Sequence, residues 1–160
     1  GYQVKPIILS KQRKKELNES LMLFFTGFSH MSSIVQEKVK ENFSDKIKRL
    51  QTMKEMVDEA QNILIKDNQL SDFGRLLHET WKLKRSLSSS ISNNDIDDMY
   101  QTAIKAGAEG GKLLGSGGGG FLLFYVENDK KKYVREALKN LLYIPFNFET
   151  DGTRVIYYDE

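Results

Sequence analysis

The sequence has 160 residues, 39% hydrophobic and 29% charged, and its 24 Lys and Arg nearly balance 22 Asp and Glu, giving a net charge of +2. That balance gives no support for nucleic-acid binding. The absence of cysteine excludes disulfides and thiolate metal sites, and with only His30 and His78 a histidine metal site is not expected. The longest apolar run, residues 21–25, is too short to span a bilayer, and nothing at the N-terminus resembles a signal peptide. We therefore expect a cytoplasmic protein.

The first part of the chain combines strand and helix signals. Residues 4–9 predict a short edge strand, because Pro6 cannot donate to a strand ladder. Ser10 can cap a helix over residues 11–19. A second strand is predicted from Leu21, ending at Gly27.

The middle of the chain predicts four helices, because apolar residues recur there every three or four positions. They begin near Ser29, Ser44, Ser71 and Asn94, and the third ends near Leu87. The fourth has three aspartates in its first turn, which suits the positive end of a helix dipole.

The third of these helices has an apolar arc that contains a lysine. The arc consists of Phe73, Leu76, Leu77, Trp81, Leu83 and Leu87. Lys84 falls near its middle, beside Thr80, where a lysine needs either an anion or a stem that reaches water. We expect Trp81 in the core, and His78, Lys82 and Arg85 on a solvated surface.

The last third changes to strand character around a glycine-rich loop. A strand beginning at Lys112, a strand over 121–126 and a helix over about 130–142 are predicted, followed by strands over 146–150 and 154–158 that join at Asp151-Gly152. Helices in the middle with strands at both ends predict one α+β domain over residues 1–160. In it, an antiparallel sheet packs on a helical group.

The glycine loop is Gly115, Ser116, Gly117, Gly118, Gly119 and Gly120, and three phosphate-binding motifs fail to explain it. The P-loop pattern fails because Ala106 and Leu113 occupy required positions. The G-x-G-x-x-G match lacks the helix that must follow a dinucleotide loop, since the strand-like FLLFYV comes next. The D-F-G of residues 72–74 precedes the glycines, the reverse of the protein-kinase order.

A strand-loop-strand hairpin with a bare tip is what these observations leave. Such a tip lets backbone N–H groups approach an anion or a neighbouring loop closely. A flexible turn, or a packing corner that tolerates only glycine, would produce the same sequence.

The segment GAEGGKLLGSGGGGFLLFYV, residues 107–126, resembles the third motif of the GHMP kinases. The segments LMLFFTGFSH, LHETWKLKRSLSSSISNNDID and VIYYD resemble the branch that contains the D-glycero-D-manno-heptose 7-phosphate kinases, with fucokinases nearby. The family's phosphate loop, P-x-x-x-G-L-G-S-S in outline, is absent from the 160 residues, and the chain begins without Met. The resemblance thus implies a C-terminal, ferredoxin-like domain whose N-terminal ATP-binding domain lies outside this chain.

The resemblance implies transfer of the ATP γ-phosphoryl group to the anomeric hydroxyl of a sugar phosphate. The glycine loop would then face the cleft beside the phosphates, with Lys84, Thr80 and Lys112 as candidate substrate-binding residues. ATP and Mg²⁺ would be bound mainly by the N-terminal domain, which would also carry the catalytic residues, so the fragment alone is expected to be inactive. Another GHMP sugar kinase and a non-catalytic interaction module are the alternatives, and a second glycine- and serine-rich phosphate loop upstream would separate a kinase from a module.

Overall fold

The structure is a computed structural model that describes residues 6–27, 43–66, 69–88, 91–115 and 118–149. The helices and strands follow in the order α1 (Lys11–Ser20), β1 (Leu21–Phe25), α2 (Phe43–Ile65), α3 (Leu70–Arg85), α4 (Asn94–Lys105), β2 (Gly110–Leu114), β3 (Phe121–Tyr125), α5 (Lys131–Ala137) and β4 (Leu142–Ile144). None of the helices in these ranges is long and apolar enough to cross a membrane.

The four strands form one antiparallel sheet in the order β2-β3-β1-β4. The strands β2 and β3 are a hairpin with Gly110 opposite Tyr125 and Leu114 opposite Phe121. The central strand β1 pairs with β3 along its whole length and with β4 at its end. The predicted α+β fold with an antiparallel sheet is confirmed.

The two faces of the sheet carry different hydrophobic clusters, because successive side chains of a strand point to opposite faces. One cluster joins Phe24, Leu122 and Phe124 to the buried residues of α4 and α5. The other joins Leu21 and Tyr125 to buried or half-buried residues of α1, α2 and α3. The sheet therefore lies between two helical layers, with α3 over the edge strand β2.

Helix α3 approaches β2 so closely that both elements need glycine at the crossing. A Cβ atom on Gly110 would lie 1.9 Å from the carbonyl oxygen of Gly74, and one on Gly74 would lie 2.7 Å from the Tyr125 ring. Any side chain at either position would therefore separate the helix from the sheet. The two glycines at this crossing therefore determine the distance between α3 and β2.

Several predicted boundaries need correction. Residues 6–9 form no strand in the structure, and Pro6 removes one ladder donor there. The last helix ends at Ala137, and the strand that pairs with β1 is Leu142–Ile144, whereas residues 146–149 are irregular. The predicted helix from Ser29 and the strand over 154–158 lie outside the described residues.

Candidate functional site

The connection between β2 and β3 contains three described glycines whose backbone favours glycine. Gly115, Gly118 and Gly120 have φ angles of +96°, +73° and +112°, a region that L side chains rarely adopt. Gly115 is exposed, with nothing within 4 Å of the position a Cβ would take. Ser116 and Gly117 lie outside the described residues. Backbone conformation therefore accounts for three of the glycines, and open space surrounds the first.

Hydrogen bonds to two other parts of the chain fix the second half of the loop. The N–H of Gly118 donates to the Ile91 carbonyl at 3.2 Å, and the Asn93 amide donates to the Gly118 carbonyl at 3.4 Å. Thr26, at the end of β1, donates to the Gly120 carbonyl through both its N–H (2.9 Å) and its hydroxyl (3.0 Å). That hydroxyl also accepts from the Gly120 N–H at 3.1 Å.

These bonds determine which loop amides a ligand could use. The amides of Gly118 and Gly120 are already engaged within the fold. Within the described part of the chain, no hydrogen bond engages the amides of Gly115 and Gly119, but Gly119 is buried whereas Gly115 is exposed. The loop is therefore fixed at one end and presents the Gly115 amide to a ligand at the other.

Two lysines, Lys84 on α3 and Lys112 on β2 of this hairpin, lie close enough for their charges to interact. Lys112 shares a sheet face with Gly110, the residue that α3 crosses, because residues two apart on a strand point the same way. Burial, and secondarily the charge of Lys112, lowers the pKa of Lys84 below its ordinary value of 10.5. No anionic side chain in the described ranges forms an ion pair with either lysine.

A pair of half-buried like charges opposes folding unless an anion lies between them. The structure thus brings Lys84 and Lys112 together, as an anion-binding site would require. Groups whose pKa is shifted by burial and by a neighbouring charge are typical of functional sites.

Thr80, the third predicted site residue, has partners in the helical layer. Its hydroxyl donates to the Leu76 carbonyl at 2.8 Å and lies 3.6 Å from the sulfur of Met56 on α2. It also lines an apolar groove between α2 and α3. The structure therefore places Thr80 one helical turn from Lys84 but with its hydroxyl directed to the helix backbone and α2.

The opposite side of α3 is more buried than the sequence indicated. Trp81 is 1% exposed, which confirms its predicted place in the core. His78 and Arg85, predicted on a solvated surface, are instead half-buried and contact side chains of α4. His78 Nδ1 lies 2.8 Å from the hydroxyl of Tyr100, and Arg85 forms an ion pair with Asp97. Lys82 is exposed and pairs with Glu79, as a solvated residue does.

The sequence interpretation missed two residues of the site, Thr26 and Asn93. Thr26 follows the predicted strand immediately before Gly27, a position where a hydroxyl can bond a neighbouring loop. Asn93 precedes the fourth helix as its N-cap, a role that Asn favours, and its second bond reaches the hairpin. Sequence shows the cap but not which loop lies beside it.

The described residues do not fit a protein-bound metal ion. No group of three or more His, Cys, Asp or Glu side chains among them could hold one.

Comparison with known proteins identifies the family of the chain. The family model "GHMP kinases C terminal" matches residues 48–144, more than half of the chain. The chain belongs to the GHMP kinase family. The resemblance seen in the sequence is therefore confirmed.

The chain is similar to sugar kinases in sequence and in structure. It is 31% identical, over 94% of its length, to the D-glycero-alpha-D-manno-heptose 7-phosphate kinase of Campylobacter jejuni. It is 28% identical, over 86% of its length, to the bifunctional fucokinase/GDP-fucose pyrophosphorylase of Arabidopsis thaliana. The solved D-glycero-D-manno-heptose 1-phosphate kinase of Bacteroides thetaiotaomicron superposes on 91% of this GHMP kinase chain, with a TM-score of 0.63 and 26% identity.

The chain spans only part of each of these relatives. It covers 45% of the Campylobacter enzyme, 13% of the Arabidopsis enzyme and 38% of the Bacteroides structure.

Proposed function

We propose that this GHMP kinase chain is the C-terminal domain of an ATP-dependent sugar kinase that phosphorylates a heptose phosphate at its anomeric hydroxyl. The observation that carries the proposal is the pair of half-buried lysines, Lys84 on α3 and Lys112 on β2, the strand that leads into the glycine loop. The relatives named as heptose 7-phosphate and heptose 1-phosphate kinases support the substrate class.

The two lysines supply the charge that a substrate already bearing a phosphate requires. A phosphate between Lys84 and Lys112 would replace their mutual repulsion with two attractive contacts. Binding would then favour the charged form of Lys84, opposing the effect of its burial. A neutral sugar would leave that repulsion in place, so the pair favours sugar phosphates over free sugars.

The glycine hairpin serves the transferred phosphoryl group. Phosphoryl transfer depends on positioning and on stabilising charge spread over the phosphate oxygens. Because Gly115 has no side chain and is exposed, phosphate oxygens can approach its amide closely, and the bonds to Gly118 and Gly120 restrict the movement of the loop. The described residues thus supply binding and charge stabilisation.

The remaining machinery belongs, in this proposal, to a domain that precedes residue 1. That domain would carry the catalytic residues and a second phosphate loop, and it would bind ATP with Mg²⁺, which supplies charge neutralisation at the phosphates. The isolated 160 residues are accordingly proposed to be inactive. We place the enzyme in the cytoplasm, where its nucleotide substrate is available.

The test is a substrate panel with the full-length protein that contains this chain. ATP-dependent phosphorylation is measured with D-glycero-D-manno-heptose 7-phosphate, L-fucose and D-galactose. The proposal predicts the highest kcat/KM for the heptose phosphate. A preference for fucose, as the similarity to a fucokinase would favour, contradicts the substrate assignment, and no phosphorylation of any sugar contradicts the kinase itself.

A matched pair of variants tests the assignment of Lys84. Loss of a charge-assisted hydrogen bond costs about 1.5–3 kcal/mol, so Lys84→Ala should raise the KM for the sugar phosphate about 10- to 100-fold. The KM for ATP should change much less. Lys82→Ala, on the exposed side of the same helix, should change neither constant. Equal effects of Lys84→Ala on both substrates would remove Lys84 from the sugar-phosphate site.

A further inference from the structure

The side chain of Asn93 makes two hydrogen bonds that serve different parts of the fold. Its Oδ1 accepts from the N–H of Ile96 at 2.9 Å, which caps the N-terminus of α4. Its Nδ2 donates to the carbonyl of Gly118 in the glycine hairpin. Capping requires only the acceptor, so Ser or Asp could replace Asn for that purpose. The bond to Gly118 requires a donor at the position of the amide nitrogen. Asp has no donor, and the Ser hydroxyl is one atom too short to reach that position while it caps the helix.

Residues 91–93, the linker that precedes α4, bond both backbone polar groups of Gly118. The Ile91 carbonyl accepts from the Gly118 N–H at 3.2 Å, while Asn93 donates to the Gly118 carbonyl. Within the described residues, no other part of the chain bonds Gly118. These two hydrogen bonds therefore couple the position of Gly118 to that of residues 91–93.

The same linker is bonded to the helix that carries Lys84. Arg85, the next residue of α3, forms an ion pair with Asp97 in the first turn of α4. Asp97 also accepts a hydrogen bond from the Ser92 hydroxyl at 2.6 Å, and its N–H donates to the Asn93 carbonyl at 2.9 Å. A continuous set of hydrogen bonds thus links the end of α3 to Gly118.

We propose that Asn93 is a positioning residue that sets the glycine hairpin relative to Lys84 during phosphoryl transfer. Its part in catalysis depends on the proposed function, whereas its effect on the hairpin does not. Asn93 acts through Gly118 and supports the loop amides that face the transferred group. Losing the donor should therefore loosen the hairpin and lower kcat without removing the α4 cap.

The experiment compares Asn93→Asp, Asn93→Ser and Asn93→Ala in the full-length protein. Asn93→Asp and Asn93→Ser keep the hydrogen bond that caps α4, whereas Asn93→Ala loses both side-chain hydrogen bonds. Only Asn93→Ala should therefore lower the melting temperature markedly. A net hydrogen bond is worth about 1 kcal/mol, so amide hydrogen exchange in a peptide covering residues 115–121 should be about 5-fold faster in all three. The kcat of Asp and Ser should fall about 5- to 10-fold, with KM for the sugar phosphate nearly unchanged.

Asp and Ser together separate the donor from the added charge, because only Asp is anionic. Unchanged hairpin exchange in both variants overturns the proposal, and so does an unchanged kcat in an active enzyme. A loss confined to Asp would assign the effect to charge and also overturn it. If the wild-type protein phosphorylates no sugar, the proposed function fails, and the exchange measurement still decides whether Asn93 positions the hairpin.

Discussion

Replacing Lys84 with Met should make this domain more stable. Burial and the charge of Lys112 lower the pKa of Lys84, so the unfolded chain binds more protons than the folded one between that lowered value and 10.5. Stability therefore rises with pH in that window, and below it the charged lysine costs the fold free energy. Stabilising substitutions commonly raise the free energy of unfolding by about 0.5–2 kcal/mol, and because Lys84 is only half-buried we expect about 0.5–1 kcal/mol here. For a domain of this size that corresponds to a melting temperature about 1–4 °C higher.

Thermal and urea unfolding at neutral pH measure the change, with Lys82→Met as the matched control. Lys82 lies on the same helix, exposed and paired with Glu79, so its replacement should not stabilise. Lys112→Met should also stabilise the domain, but less than Lys84→Met, because it removes the repulsion between the two lysines and leaves Lys84 half-buried. Added inorganic pyrophosphate should stabilise the wild type and not Lys84→Met. A Lys84→Met variant that is less stable than the wild type, or no more stable than Lys82→Met, would refute the reasoning.

The remaining predictions concern the elements that build the site. Gly110→Ala should lower the free energy of unfolding by about 3 kcal/mol, because its Cβ would lie 1.9 Å from the Gly74 carbonyl oxygen. Gly115→Ala should lower it by only about 1–2 kcal/mol, through backbone strain alone. Equal losses for the two variants in urea unfolding would contradict this prediction. Tyr100→Phe should cost about 1–2 kcal/mol in the same assay, because it leaves His78 and the Gly111 carbonyl without their partner. Burial raises the pKa of Tyr100 above its ordinary 10.0, so the folded state keeps this proton longer and wild-type stability should fall above pH 10 more steeply than that of Tyr100→Phe; parallel pH profiles would exclude that effect.

The helices and the hairpin could be predicted from sequence because each depends on its own residues. The apolar period of α3 and the glycines flanked by strand-forming residues are local patterns. The edge strand β4 could not be predicted in this way. The run LLYI after α5 continues the helical pattern, and it becomes a strand because it pairs with β1, with Tyr143 5.5 Å from the ring of Phe24.

The surroundings of the site residues depended equally on distant parts of the chain. The helical wheel placed Lys84 on the apolar arc of α3, but the approach of Lys112 follows from the Gly74–Gly110 crossing. It also placed His78 and Arg85 on a solvated surface, because a helical wheel cannot show that Tyr100 and Asp97 of α4 contact them. Asn93 illustrates the same limit, since its cap is a local property and its bond to Gly118 spans 25 residues.

The most direct test of the account is a titration of the full-length protein, labelled with ¹⁵N at glycine, with D-glycero-D-manno-heptose 7-phosphate and with a non-hydrolysable ATP analogue. If the hairpin and the two lysines bind phosphate groups, the amide signals of glycines 115–120 shift and saturate, and Lys84→Met weakens the response to the sugar phosphate more than the response to the analogue. Signals that stay unchanged while both ligands bind would show that phosphate groups are held elsewhere, and would contradict the account.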